Sequence, residues 1–143
     1  MKMKHLGILT AFIAIMGFSM STALAQNNGT NYPVITQFVQ QYFPEANILT
    51  VNSEWDEYEV LLNDGTKIEF NKSSEWKKID CEHSATGVPA ELVPEPIATY
   101  AKTNFAGQAI TKIEKNRRGW EIELGNRLEV KFNKDFRVTE IDD

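Results

Sequence analysis

The chain has 143 residues, with 15 Lys and Arg against 20 Asp and Glu and a formal net charge of −5. That acidic balance argues against nucleic acid or an anionic membrane surface as the partner. Cys81 is the single cysteine, so no internal disulfide can form, and one Cys beside two His leaves too few ligands for a zinc site.

Residues 1–25 read as a signal peptide. Lys2 and Lys4 make a positive start, Leu6 to Met20 is apolar, and Ala23-Leu24-Ala25 offers a cleavage site after Ala25. The apolar run is short for spanning a bilayer, so no membrane anchor is expected after cleavage. A periplasmic or secreted protein follows. Removing Lys2 and Lys4 takes the net charge from −5 to −7. Residues 26–31 read as a disordered polar leader.

The first predicted helix starts at Pro33, where a missing N–H costs nothing, and stops before Pro44. Ile35, Phe38, Val39 and Tyr42 fall on one stripe. Ile48 to Ser53 reads as a short strand. In the next stretch Tyr58, Val60 and Leu62, then Thr66, Ile68 and Phe70, alternate with polar neighbours, the period of half-buried strands. Placing both apolar sets on one face requires an odd loop, met by Asn63-Asp64-Gly65 with Gly65 left-handed. Glu75 to Asp80 reads as a fourth strand, but Trp76 and Ile79 have opposite parity, which predicts a bulge or a twisted end.

The same text returns 62 residues later without a gap. Glu59/Glu121, Leu62/Leu124, Phe70/Phe132, Asn71/Asn133, Lys72/Lys134, Ile79/Ile141 and Asp80/Asp142 are identical, as are Ile35/Ile97, Phe43/Phe105 and Ile48/Ile110 further back. Self-similarity at a fixed offset marks an internal repeat. Pro94 and Pro96 open the second helix, with Ile97, Tyr100, Ala101 and Phe105 on one face and Gly107 as terminator. Strands follow at Ile110 to Lys115, Trp120 to Leu124, Leu128 to Phe132 and Phe136 to Ile141. Arg127 stands where Gly65 does, so Gly125 or Asn126 is expected to carry the positive φ of the second turn.

The expected fold is therefore α+β, with two tandem αββββ repeats forming one antiparallel sheet and the helices packed on one face. The repeats span residues 32–81 and 94–143, joined by a linker at 82–93, and share one globular domain. A lone unit of about 50 residues would bury too little of its surface to stand without disulfides.

No catalytic, cofactor-binding or metal-binding constellation is legible. Cys81-Glu82-His83 lacks a third orienting group and reads as a strand-end cysteine beside a solvated histidine. Asn63-Asp64-Gly65 has too few oxygen ligands for calcium. Strand parity sends Trp55, Glu57, Glu59, Lys67 and Glu69 to the face away from the helices. From the second unit it sends Arg117, Glu121, Glu123, Arg127, Glu129 and Lys131 there. A large aromatic among charges is a common interface anchor, so this face is the expected partner-binding surface. The expected function is an exported, non-enzymatic binding module whose partner is another exported protein or peptide. The alternative is a carrier of a small ligand or cell-envelope component. An exposed Cys81 could also link two copies under oxidation.

The segments Phe43-Pro44-Glu45-Ala46, Tyr58 to Phe70 (YEVLLNDGTKIEF), Glu75 to Cys81 (EWKKIDC) and Val88 to Ile97 (VPAELVPEPI) resemble the PepSY-like, β-lactamase-inhibitor-like family. The resemblance covers Tyr32 to Asp143. It implies small exported proteins, often in tandem copies, with helices on one face of an antiparallel sheet and a binding or inhibitory role. It carries no catalytic residues. Gly125-Asn126-Arg127 departs from the Asn-Gly or Asp-Gly turn of the pattern, which implies a second hairpin tip of different shape.

Overall fold

The computed structural model describes residues 32–143, so the expected signal peptide and leader lie outside the described residues. Helix α1 (Pro33–Tyr42) leads into β1 (Ile48–Ser53), β2 (Glu57–Leu62), β3 (Lys67–Asn71) and β4 (Trp76–Asp80). A 3₁₀ turn (Ala90–Leu92) and α2 (Glu95–Asn104) precede β5 (Ile110–Asn116), β6 (Gly119–Leu124), β7 (Glu129–Asn133) and β8 (Val138–Asp142). The eight strands form one antiparallel sheet in chain order, so β4 lies against β5 despite the helix between them. Among the described residues no helix is long and apolar enough to cross a membrane.

The helices occupy one side of the sheet because each has a single apolar stripe. Ile35 and Val39 of α1, and Ile97 and Ala101 of α2, are buried against Val60, Ile68, Phe70, Ile122, Val130 and Phe132 in one apolar cluster. Phe38 meets Phe70 edge-on at 5.3 Å, and Tyr100 meets Phe132 in the same way at 5.5 Å. Edge-to-face packing of this kind adds to simple area burial.

The pairing confirms the odd loop. Tyr58↔Phe70 and Val60↔Ile68 place both apolar sets on the helix side, and Gly65 has φ 91°. The parity conflict in β4 is resolved by a bulge. Ladder partners run Glu69↔Lys78 and then Phe70↔Trp76, so Lys77 is the extra residue, and Trp76 and Ile79 share the helix side. The shift recurs between Lys131 and Phe132, where Thr139 is extra.

The expectation for the second hairpin tip is corrected. Arg127 itself takes the positive φ, 73°, and donates its N–H to the Leu124 carbonyl at 2.9 Å, as Gly65 does to Leu62 at 3.1 Å. The ladder on both sides fixes where the left-handed residue must fall, and this outweighs the local preference for Gly or Asn there. The second tip therefore keeps the first tip's backbone. At Gly119 (φ 145°) a Cβ would clash with the Phe132 carbonyl oxygen, so no other residue fits where β6 and β7 come this close.

Candidate functional site

Among the described residues no element covers the sheet face opposite the helices. Cross-strand pairing sets its side chains in rows that run from edge to edge. One row reads Glu59, Glu69, Lys78, Glu114, Glu121, Lys131, Glu140 from β2 to β8. The next reads Leu61, Lys67, Asp80, Lys112, Glu123, Glu129, Asp142. Acids outnumber bases in both, so this face concentrates the chain's negative charge.

Two of the four lysines in the rows, and Lys77 at the bulge beside them, are already committed. Lys112 Nζ lies 3.0 Å from Glu82, 3.2 Å from Glu123 and 3.9 Å from Asp80. Lys131 Nζ is 3.2 Å from Glu140 and 3.5 Å from Asp142, and Lys77 Nζ is 2.7 Å from Glu57. The carboxyls in the middle feel the crowding. Glu69 is held above its ordinary pKa by burial, with Lys78 opposing and Glu57 and Glu114 reinforcing. Glu121 is raised by burial and then by Glu129 and Glu114. Burial first, and neighbouring like charges second, disfavour the ionised form in this way.

Of the residues expected on this face, Glu57, Glu59, Lys67, Glu69, Glu121, Glu123, Glu129 and Lys131 lie in these rows or beside them. Glu123 is nearly buried, beneath Lys112, while Arg127 at the hairpin tip pairs with Glu82. Trp55 and Arg117 sit elsewhere. Trp55 is in the turn between β1 and β2 and Arg117 in the turn between β5 and β6, past the end of the sheet. The strand parity used to place them stops at the turn. Trp55 is 90% exposed, so it packs on nothing in its own hairpin.

Lys78, Asp80, Lys112, Glu114, Glu140 and Asp142 were missed. The first four join the rows through the β4–β5 pairing and the bulge at Lys77, the last two through the β7–β8 pairing. Pairing between strands separated by a helix leaves no local signal in sequence. The bulge could have been used, since it restores Lys78 and Asp80 to the open side.

Cys81 and His83 do not come together. The thiol is 1% exposed, accepts a 3.8 Å contact from the Thr66 hydroxyl, and is pushed up to about 11, chiefly by burial. His83 is exposed. The exposed thiol assumed for an oxidative link between copies is thus corrected: Cys81 faces the core. Among the described residues no group of three or more His, Cys, Asp or Glu is placed to hold a metal ion.

Three solved structures share this architecture. One, described as a "putative calcium-regulated periplasmic protein" from Bacteroides thetaiotaomicron, superposes with a TM-score of 0.71 at 32% identity over 78% of this chain and 89% of its own. A "putative periplasmic protein" from Bacteroides vulgatus gives 0.70 at 31% identity, covering 77% and 88%. A second protein from the same organism, described as a "putative periplasmic protein of unknown function", gives 0.69 at 31%, covering 77% and 90%. No curated protein matches the chain. Neither the family nor these relatives are described as enzymes. A family model described as "Putative beta-lactamase-inhibitor-like, PepSY-like" matches residues 56–140, and with these relatives it places the chain in the PepSY-like family.

Proposed function

We propose that this protein is an exported binding module that holds a basic segment of another exported protein on its open sheet face, in the manner its inhibitor-like family description suggests. The observation that carries this reading is the pair of acid-rich rows crossing all but the first strand, on a face that no element covers among the described residues. An excess of one charge sign on a surface speeds encounter and selects partners more than it sets raw affinity. Localisation in the periplasm is supported by the description of the solved relatives. In this reading the chain is two fused helix-plus-four-strand units, residues 32–81 and 94–143, joined by the 82–93 linker into one domain. Fusion doubles the row length, which is what makes the charged face wide enough for a partner.

The calcium regulation named for the Bacteroides thetaiotaomicron protein has no metal-holding cluster to support it among the described residues here.

The test is affinity capture from envelope extract with the wild-type protein and with a Glu69→Lys, Glu121→Lys double variant. The variant should lose the captured partner, and capture by the wild type should weaken as salt rises. Hydrogen exchange in the complex should protect β2, β3, β6 and β7. Protection confined to the outer sides of α1 and α2 would move the site to the helices and end this reading.

A further inference from the structure

A second feature lies on the helix side of the sheet. Trp76 of β4 and Trp120 of β6 face each other at 6.1 Å, and Phe136 stacks on Trp120 at 6.1 Å and 28°. The two tryptophans floor a cleft of about 720 Å³ rimmed by Lys115, Arg117, Lys134 and Glu75. That size suits a ligand group. Lys115 Nζ stands 4.3 Å over the Trp76 ring, and burial lowers its pKa, with Glu75 the one opposing charge. The rim is therefore cationic in an acidic protein.

The complementary shape and charge occur on the same chain. The turn between β1 and β2 carries Trp55 between Glu54 and Asp56, closed by the Glu54 N–H donating to the Glu57 carbonyl at 2.9 Å. Trp55 is 90% exposed, so it does not occupy the cleft of its own chain. An indole flanked by two carboxylates matches an aromatic floor with a cationic rim.

We propose that the Trp55 turn of one copy seats in the Trp76–Trp120 cleft of a second copy. Turn and cleft lie at the same end of the sheet, so two copies related by a two-fold axis satisfy both contacts at once. Each insertion buries one tryptophan, about 150–250 Å² of side chain. Two such contacts fall short of a standard interface of about 1,200–2,000 Å², so the dimer is weak and concentration-dependent. It uses the side of the sheet opposite the acid-rich rows and stands independently of the open-face reading.

Sedimentation velocity on the protein from micromolar to millimolar concentration tests this. A monomer–dimer equilibrium is expected, weakening with salt. Trp55→Ala should raise the dissociation constant about 30-fold or more. Lys115→Glu with Lys134→Glu should do the same by placing carboxylates against Glu54 and Asp56. Arg117→Glu, on an exposed turn, replaces that pair if it fails to fold by circular dichroism. Mixing the tip variant with the cleft variant should recover a heterodimer through the one intact tip–cleft contact. Glu69→Lys should leave the dimer unchanged while weakening the captured partner, which separates this inference from the open-face proposal. A monomer at every concentration, a dimer indifferent to Trp55→Ala, or a dimer lost on Trp55→Ala but untouched by the cleft changes would each overturn it. Growth beyond dimer would overturn the reciprocal arrangement.

Discussion

The segments Pro33 to Asp80 and Glu95 to Asp142 share ten identical residues at a fixed offset of 62 but meet different neighbours. Ile79 and Ile141 are the same residue at corresponding positions in β4 and β8. Ile79 is fully buried, whereas Ile141 is 48% exposed. The difference comes from the sheet: β4 is flanked by β3 and β5, and β8 is an edge with only β7 beside it. Conversely, Ser74 and Phe136 have unlike side chains but the same left-handed backbone, φ 62° and 60°. In both turns an Asn side chain, Asn71 or Asn133, accepts from the N–H groups two and four residues on. Local hydrogen bonds therefore repeat with the sequence, while burial follows position in the whole sheet.

The strongest way to break this comparison is at the paired core anchors. Phe70→Ala and Phe132→Ala should each cost about 3–5 kcal/mol in denaturant unfolding, since both are buried beneath a helix aromatic. A loss below about 1 kcal/mol at either would mean that the two halves do not share one packing scheme.

Next comes the isoleucine pair. Ile79→Ala should cost about 2–5 kcal/mol and Ile141→Ala less than about 1 kcal/mol, because a half-exposed side chain leaves no closed cavity. Equal losses would show that β8 is covered in solution, for example by a partner strand.

The hairpin tips sharpen the contrast on a smaller scale. Gly65→Ala should cost about 1–2 kcal/mol, from the left-handed backbone and a Cβ placed 3.1 Å from that of His83. Arg127→Gly should instead stabilise, by less than about 1 kcal/mol, as relief of the backbone outweighs an ion pair with Glu82 whose arginine is 70% exposed. If Arg127→Gly destabilises, the pair with Glu82 matters more than its exposure suggests.

The smallest effect is in the pH profile. Glu69 in the first half and Glu121 in the second have folded pKa values above the ordinary 4.5. Between 4.5 and those higher values the folded chain keeps a proton that the unfolded chain has lost. Their contribution is therefore fully present below 4.5 and is lost as pH rises through the folded values. Glu69→Gln and Glu121→Gln should each flatten the fall of stability over that window, measured by urea midpoints at stepped pH. An unchanged slope in both would mean that burial on the open face is too slight to matter.

What the amino-acid sequence determined by itself is the set of elements. Proline at a helix start, one apolar stripe per helix, period-two strands and the odd Asn63–Gly65 loop are all local, set by backbone sterics and side-chain alternation over a few residues. The unlike parity of Trp76 and Ile79 even marked the bulge. The tertiary structure alone decided what those elements meet. It brought β4 against β5, completing the charged rows with Lys78, Asp80, Lys112 and Glu114. It buried Ile79 and left Ile141 at an edge. It put Arg127 where a glycine would rest more easily, and it drew Trp76 and Trp120 together from opposite sides of a helix. None of these has a local cause: each depends on partners far along the chain, which only assembly of the whole sheet and burial of its apolar face bring within reach.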